Sequence, residues 1–140
     1  MLPSEILRRD YPDIIQSTVH MYPENYDVIL LEEFLKRQFP NLSPFISMDT
    51  VVKIKTDLKL KFGNHDSCIK EHGFLKKVKI TELRYFQPTV GISGAKHSTM
   101  DLPVYVVSNN GTMILFNGYH RTLVHILNEV QEIEAYVLNF

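Results

Sequence analysis

The residues that carry the most chemistry are Asn117, Gly118, Tyr119, His120, Arg121 and Thr122, where an apolar run meets an amphipathic one. The stretch 112–117, Thr-Met-Ile-Leu-Phe-Asn, has the composition of a strand, and 120–130 has the apolar spacing of a helix. A strand that turns through glycine into a helix leaves the first backbone N–H groups of that helix without intrahelical acceptors. Those groups lie at the positive end of the helix dipole, where a phosphate docks readily. Gly118 allows close backbone approach and a positive φ if the turn needs one. Arg121 in the first turn offers a fork of donors that matches phosphate oxygens. His120 is suited to donate to phosphate or to shuttle a proton near neutral pH. The chemistry implied is phosphate binding, with phosphoryl transfer or hydrolysis as its catalytic extension. Set against it is a plain strand-to-helix turn in which His120 and Arg121 are solvated.

The surrounding elements come in a definite order. Leu75–Ile80 reads as a short strand, followed by Thr81-Glu82-Leu83 and by Gln87-Pro88-Thr89-Val90-Gly91. Leu102-Pro103-Val104-Tyr105-Val106-Val107 reads as an apolar strand, and Asn109-Asn110-Gly111 is a hairpin signal. The strand 112–117, the helix 120–130 and a closing strand 133–138 complete the chain. In this order the segment 75–140 resembles the ParB/sulfiredoxin superfamily. That family has an opening strand and turn, a Pro-Ile-x-Val strand, and a hairpin leading to a Gly-x-His-Arg or Gly-Glu-Arg-Arg loop at a helix start. The resemblance implies that Gly118, His120 and Arg121 contact nucleotide phosphate. It also implies a nucleotide partner, a nucleoside di- or triphosphate with Mg²⁺ bridging its phosphate oxygens.

The departures from the family are chemical. Sulfiredoxins place their catalytic cysteine directly after the loop glycine, and Tyr119 stands there. Sulfinic-acid reduction is therefore not expected. ParB proteins carry a glutamate and an arginine where this chain has Tyr119 and His120. The family helix before the Pro-Ile-x-Val strand has no counterpart in the short polar interval 91–101.

The chain has 140 residues, enough for one compact domain with its own core. Its 44% hydrophobic content argues against disorder, and its net charge of −1 removes any broad attraction to nucleic acid or anionic membrane. A single cysteine, Cys68, forms no internal disulfide, and neither a signal peptide in 1–10 nor a long apolar run is visible. A cytoplasmic protein without a membrane span is expected.

The first half, to a boundary near Gly73, reads as mainly helical. Ser4 caps a short helix, Pro12 opens a second through Met21, and Pro23-Glu24 starts a third that Pro40 ends. Ser47 and Gly63 bracket a helix over Met48–Phe62, although the alternation of Val52–Lys55 and Leu58–Phe62 also fits a hairpin. The helix is preferred by a narrow margin. The fold expected is α/β, with α+β as its alternative. A small mixed sheet occupies 75–140 and the helical half, 1–74, packs on it within one domain.

Weaker signals complete the candidate site. The loop Gly91–Thr99 has the ingredients of a phosphate loop without the spacing of one, and Lys96, Ser98 and Thr99 are its candidate ligand contacts. Glu82 and Asp101 are the candidate acids or bases beside His120. The histidines show no metal-ligand spacing, so no protein-held metal is expected. Arg121, His125 and Asn128 share a helical stripe that reads as solvated. The lysines at 53, 55, 59 and 61 and at 76, 77 and 79 are the only basic clusters; they read as solvated faces, and a nucleic-acid module would use them together with the phosphate site. Three functions follow from these readings. They are a nucleotide-binding enzyme, a nucleic-acid-binding or nuclease-like module, and a non-catalytic interaction protein on the same fold.

Overall fold

A computed structural model of the chain describes residues 2–24, 27–95 and 101–140. Helix α1, Pro3–Asp10, opens with proline at its first position, carries Glu5 in the first turn and ends on Arg8 and Arg9. Ser4 lies inside this helix and is buried, so Leu2 rather than Ser4 is the capping residue. Helix α2, Pro12–Met21, starts where its proline predicts. The third expected helix is shorter than the sequence suggested. Val28–Leu30 is a strand, β1, and α3 runs only over Leu31–Gln38. The reason is tertiary: β1 pairs antiparallel with β4, Thr89–Gly91, and the Leu30 N–H donates to the buried Thr18 hydroxyl at 2.9 Å.

Met48–Phe62 is a helix, α4, and not a hairpin. Ser47 Oγ accepts from Asp49 N at 3.2 Å, and Gly63 closes the helix at φ 82°. Its buried residues Val51, Ile54 and Leu58 lie on one helical face, and this burial overrides the local alternation. Helix α5, Ser67–His72, leads through Gly73 into β2, Phe74–Lys79. A short 3₁₀ turn, Ile80–Glu82, precedes β3, Leu83–Arg84. After β4 comes a four-residue helix, α6, Ile92–Ala95, in the interval where the family helix had no sequence counterpart.

The C-terminal elements are β5 (Val104–Asn109), β6 (Thr112–Asn117), α7 (Tyr119–Leu127) and β7 (Glu132–Asn139). The β5–β6 hairpin turns at Asn110 (φ 50°) and Gly111 (φ 80°), the left-handed pair that an Asn-Gly turn supplies. Five strands form one mixed sheet in the order β2-β7-β5-β6-β3, parallel at β5–β7 and β3–β6.

Alternating strand residues feed two cores. Val104, Val106, Leu115, Ala135 and Val137 face one way and pack with α1–α3 and α7. Val107, Ile114 and Leu138 face the other way and pack with Ile54, Leu58, Cys68 and Ile69 of α4 and α5. The chain is thus an α/β protein in which the helical first half is divided between the two faces of a small mixed sheet. Among the described residues no helix is long and apolar enough to cross a membrane.

Candidate functional site

The strand, turn and helix around Gly118 form as their residue types dictate. β6 ends at Asn117, Gly118 adopts φ 104°, and α7 begins at Tyr119. Gly118 is required for two reasons. Its φ lies in the left-handed region, and a Cβ there would stand 2.4 Å from Val104 Cγ1. The open side of this glycine is therefore filled by Val104 of β5, and close ligand approach is not what demands it. Gly118 gives α7 no side-chain cap, which leaves the first-turn N–H groups to an outside acceptor.

Arg121 folds back over this helix start. Its Nη2 would lie 3.1 Å from a Cβ on Gly118. Its Nε is buried with no hydrogen-bond partner, and it forms no ion pair among the described residues. His120 turns toward the β4–α6 turn, where a Cβ on Gly91 would stand 3.4 Å from its Nε2. That Nε2 is also buried and has no partner among the described residues. The unpartnered Arg121 Nε–H donor and the unpartnered His120 Nε2, on adjacent residues at an uncapped helix start, leave polar groups open to a ligand.

The other candidates divide. Tyr119 points inward: its hydroxyl donates to Leu115 O at 2.9 Å and accepts from Phe86 N at 3.0 Å. Burial pushes this phenol up to about 12, so it is a neutral structural hydroxyl and only its backbone N–H remains for a ligand. Thr122 is buried as well, and its Oγ donates to Gly118 O at 3.0 Å, locking the first turn. Asn117 is exposed, and its amide donates to Asp66 at 3.1 Å. Asp101 is exposed three positions before β5, at the end of the sheet that holds Val104 and Gly118.

Glu82 is elsewhere. Leu83 pairs with Met113, so the whole of β6 beyond Met113, about 13 Å, separates Glu82 from Asn117. Glu82 instead lines a small cleft with Lys76, Lys77, Lys79 and Glu132. Lys96, Ser98 and Thr99 lie outside the described residues. His125 is buried, with Nδ1 2.7 Å from Arg121 O, so the stripe it shares with Arg121 is not solvated.

The lysine clusters are partly committed. Lys55 Nζ lies 4.8 Å from the Phe86 ring centre, and Lys61 Nζ lies 5.3 Å from that of Phe62. The sheet register sets Lys77 opposite Glu134 and Lys79 opposite Glu132, which offsets their charge. Among the described residues no three His, Cys, Asp or Glu side chains come together as a metal site.

Asp27 carries no signal in the sequence. Its carboxylate accepts from Arg8 Nη2 and from Ser93 Oγ, each at 2.9 Å, and its carbonyl accepts from Ile92 N at 2.8 Å. Asp27 thereby ties α1 to the start of α6, beside the Gly91 backbone that His120 faces. Only Ser93 lay within a stretch that the sequence marked. Neither protein-family models, nor curated proteins, nor solved structures yield a match to this chain.

Proposed function

We propose that the start of α7 binds the phosphates of a nucleotide, as the resemblance of residues 75–140 to the ParB/sulfiredoxin superfamily implies. The observation that carries the proposal is the pair of buried, unpartnered nitrogens, His120 Nε2 and Arg121 Nε, at a helix start with no side-chain cap. A buried polar atom left unpaired costs stability, and a ligand that pairs with it offsets that cost. The Arg121 guanidinium supplies fixed charge, and the N–H groups of Tyr119 and His120 supply the helix-terminus contribution. His120 is the group at the site able to move a proton near neutral pH. Mg²⁺ bound with the nucleotide would supply neutralisation of the phosphate charge. Asp101, three positions before β5, is the acid that this reading favours over Glu82.

Hydrolysis or transfer of the nucleotide phosphate is the catalytic form of this reading. Phosphate binding without turnover is the second, favoured by one observation: Glu82 stands at the far end of β6. A thermal-shift and calorimetry panel of ATP, ADP, CTP and GTP, each with and without Mg²⁺, tests both. A saturable rise in melting temperature is expected for at least one nucleotide. Phosphate release by the wild-type chain but not by His120→Ala selects the enzyme. Absence of any nucleotide-dependent shift or heat refutes the phosphate site.

A further inference from the structure

A second cleft lies at the opposite end of α7, independent of the phosphate reading. It encloses about 580 Å³, within the size range of small-ligand sites. Phe39, Ile80, Ile126 and Val130 give it apolar walls. Its rim is rich in acceptors. The carboxyl ends of α3 and α7 both meet there, at Gln38 and Ile126, and bring the negative ends of two helix dipoles. Glu129 and Glu132 add carboxylates. Lys79 is the one charged donor on the rim, and the register already sets it opposite Glu132. One of the two Gln38 amide N–H groups goes to the Tyr11 hydroxyl. Among the described residues neither Glu129 nor Glu132 forms an ion pair, and only Glu132 has a lysine opposite it in the sheet.

Glu129 also holds an unusual backbone conformation. Its φ is 58°, in the left-handed region, directly after the Asn128 that ends α7. Glycine is the residue that this position favours. The chain places a glutamate there instead, at the mouth of an apolar cleft.

We infer that this cleft binds an alkyl cation, an ammonium or guanidinium on a short apolar stem, with Glu129 as the counter-charge. A stem of that kind fills the apolar walls while its head reaches the carboxylate and the helix carbonyls. The chemistry is shared by a free amine metabolite and by a lysine or arginine side chain of another protein, and the test separates them.

The ¹⁵N-labelled full chain is titrated with n-butylammonium, n-butylguanidinium, and the N-acetyl methylamides of lysine and arginine, with butyrate and n-butanol as controls. Amide shifts confined to Ile80, Thr81, Ile126 and residues 129–132 are expected for the cations and not for the controls. Glu129→Gln should weaken that binding roughly tenfold, as loss of a charge-assisted contact does, while the thermal melt stays close to the parent's. Equal or tighter binding of the amino-acid amides identifies a protein side chain as the source, and preference for the butyl cations identifies a free amine. Shifts of the same size with butanol or butyrate, binding unchanged in Glu129→Gln, or no shift at tens of millimolar cation would each overturn the inference.

Discussion

Replacing Arg121 with alanine separates binding from stability in a way that the geometry predicts. The Arg121 side chain makes no ion pair among the described residues, and its Nε is buried without a partner. Its removal therefore breaks no hydrogen bond among the described residues and relieves one unsatisfied donor, whose burial costs about 1–3 kcal/mol. Against that stands the loss of the stem's packing on a half-buried residue. The two effects oppose, so the unliganded variant should melt within about 1 kcal/mol of the parent. Binding has no such offset. A charge-assisted contact is worth roughly 1.5–3 kcal/mol, so nucleotide affinity should fall about tenfold to more than a hundredfold. Calorimetric titration of parent and variant, with melts of both unliganded proteins, reads the two quantities separately. Unchanged affinity with a normal melt would refute the phosphate site. A melt lowered by several kcal/mol would show that the guanidinium is structural.

Three further outcomes follow from the same region and its far end. Tyr119→Phe keeps the ring but strands the Leu115 carbonyl and the Phe86 N–H, which should cost about 1–3 kcal/mol in urea unfolding at neutral pH. Burial raises the Tyr119 phenol from 10.0 to about 12, so the folded state keeps a proton that the unfolded chain releases. Its contribution is intact below pH 10 and is lost as pH rises toward 12, and the Phe variant should lose less stability over that window. Gly118→Ala should be among the costliest single changes, roughly 2–5 kcal/mol by urea unfolding, because left-handed strain adds to a Cβ 2.4 Å from Val104 Cγ1. Adding Val104→Ala should recover the steric part and not the strain, and failure to recover any of it would point away from that contact. Glu129→Gly should stabilise the chain by about 1 kcal/mol, seen as a rise of a few degrees in melting temperature, and a fall would show that the carboxylate anchors the fold.

What was legible in the sequence was local. Pro12, the Asn110-Gly111 turn, and Ser47 with Gly63 each demand a backbone conformation, and the structure has a helix start, a hairpin and a capped helix at those places. The strand, glycine turn and helix at Gly118 were legible for the same reason. What was not legible was set by partners distant in the chain. Val28–Leu30 is a strand because Thr89–Gly91 lies beside it. Tyr119 looked like a ligand contact because nothing local shows that Leu115 O and Phe86 N wait for its hydroxyl. His125 shares the polar spacing of Arg121 yet is buried, on a helix that α1, α6, β4 and β5 all contact.

The division of labour around His120 follows from that long-range wiring. Arg8 and Asp27 form a surface pair with side chains 52% and 39% exposed, a kind of contact that contributes little to stability. The same carboxylate also receives the hydroxyl of Ser93, and the Asp27 carbonyl receives the Ile92 N–H. Those bonds fix where Gly91 runs, and Gly91, having no side chain, leaves its flank to the imidazole of His120. Asp27 is therefore better understood as orienting the wall of the site than as holding the fold together. The N-terminal helices, which carry none of the residues proposed to bind phosphate, reach the start of α7 by this route. The uncapped end of α7 is supplied by the C-terminal half, and the surface that faces its histidine is held in place by the first.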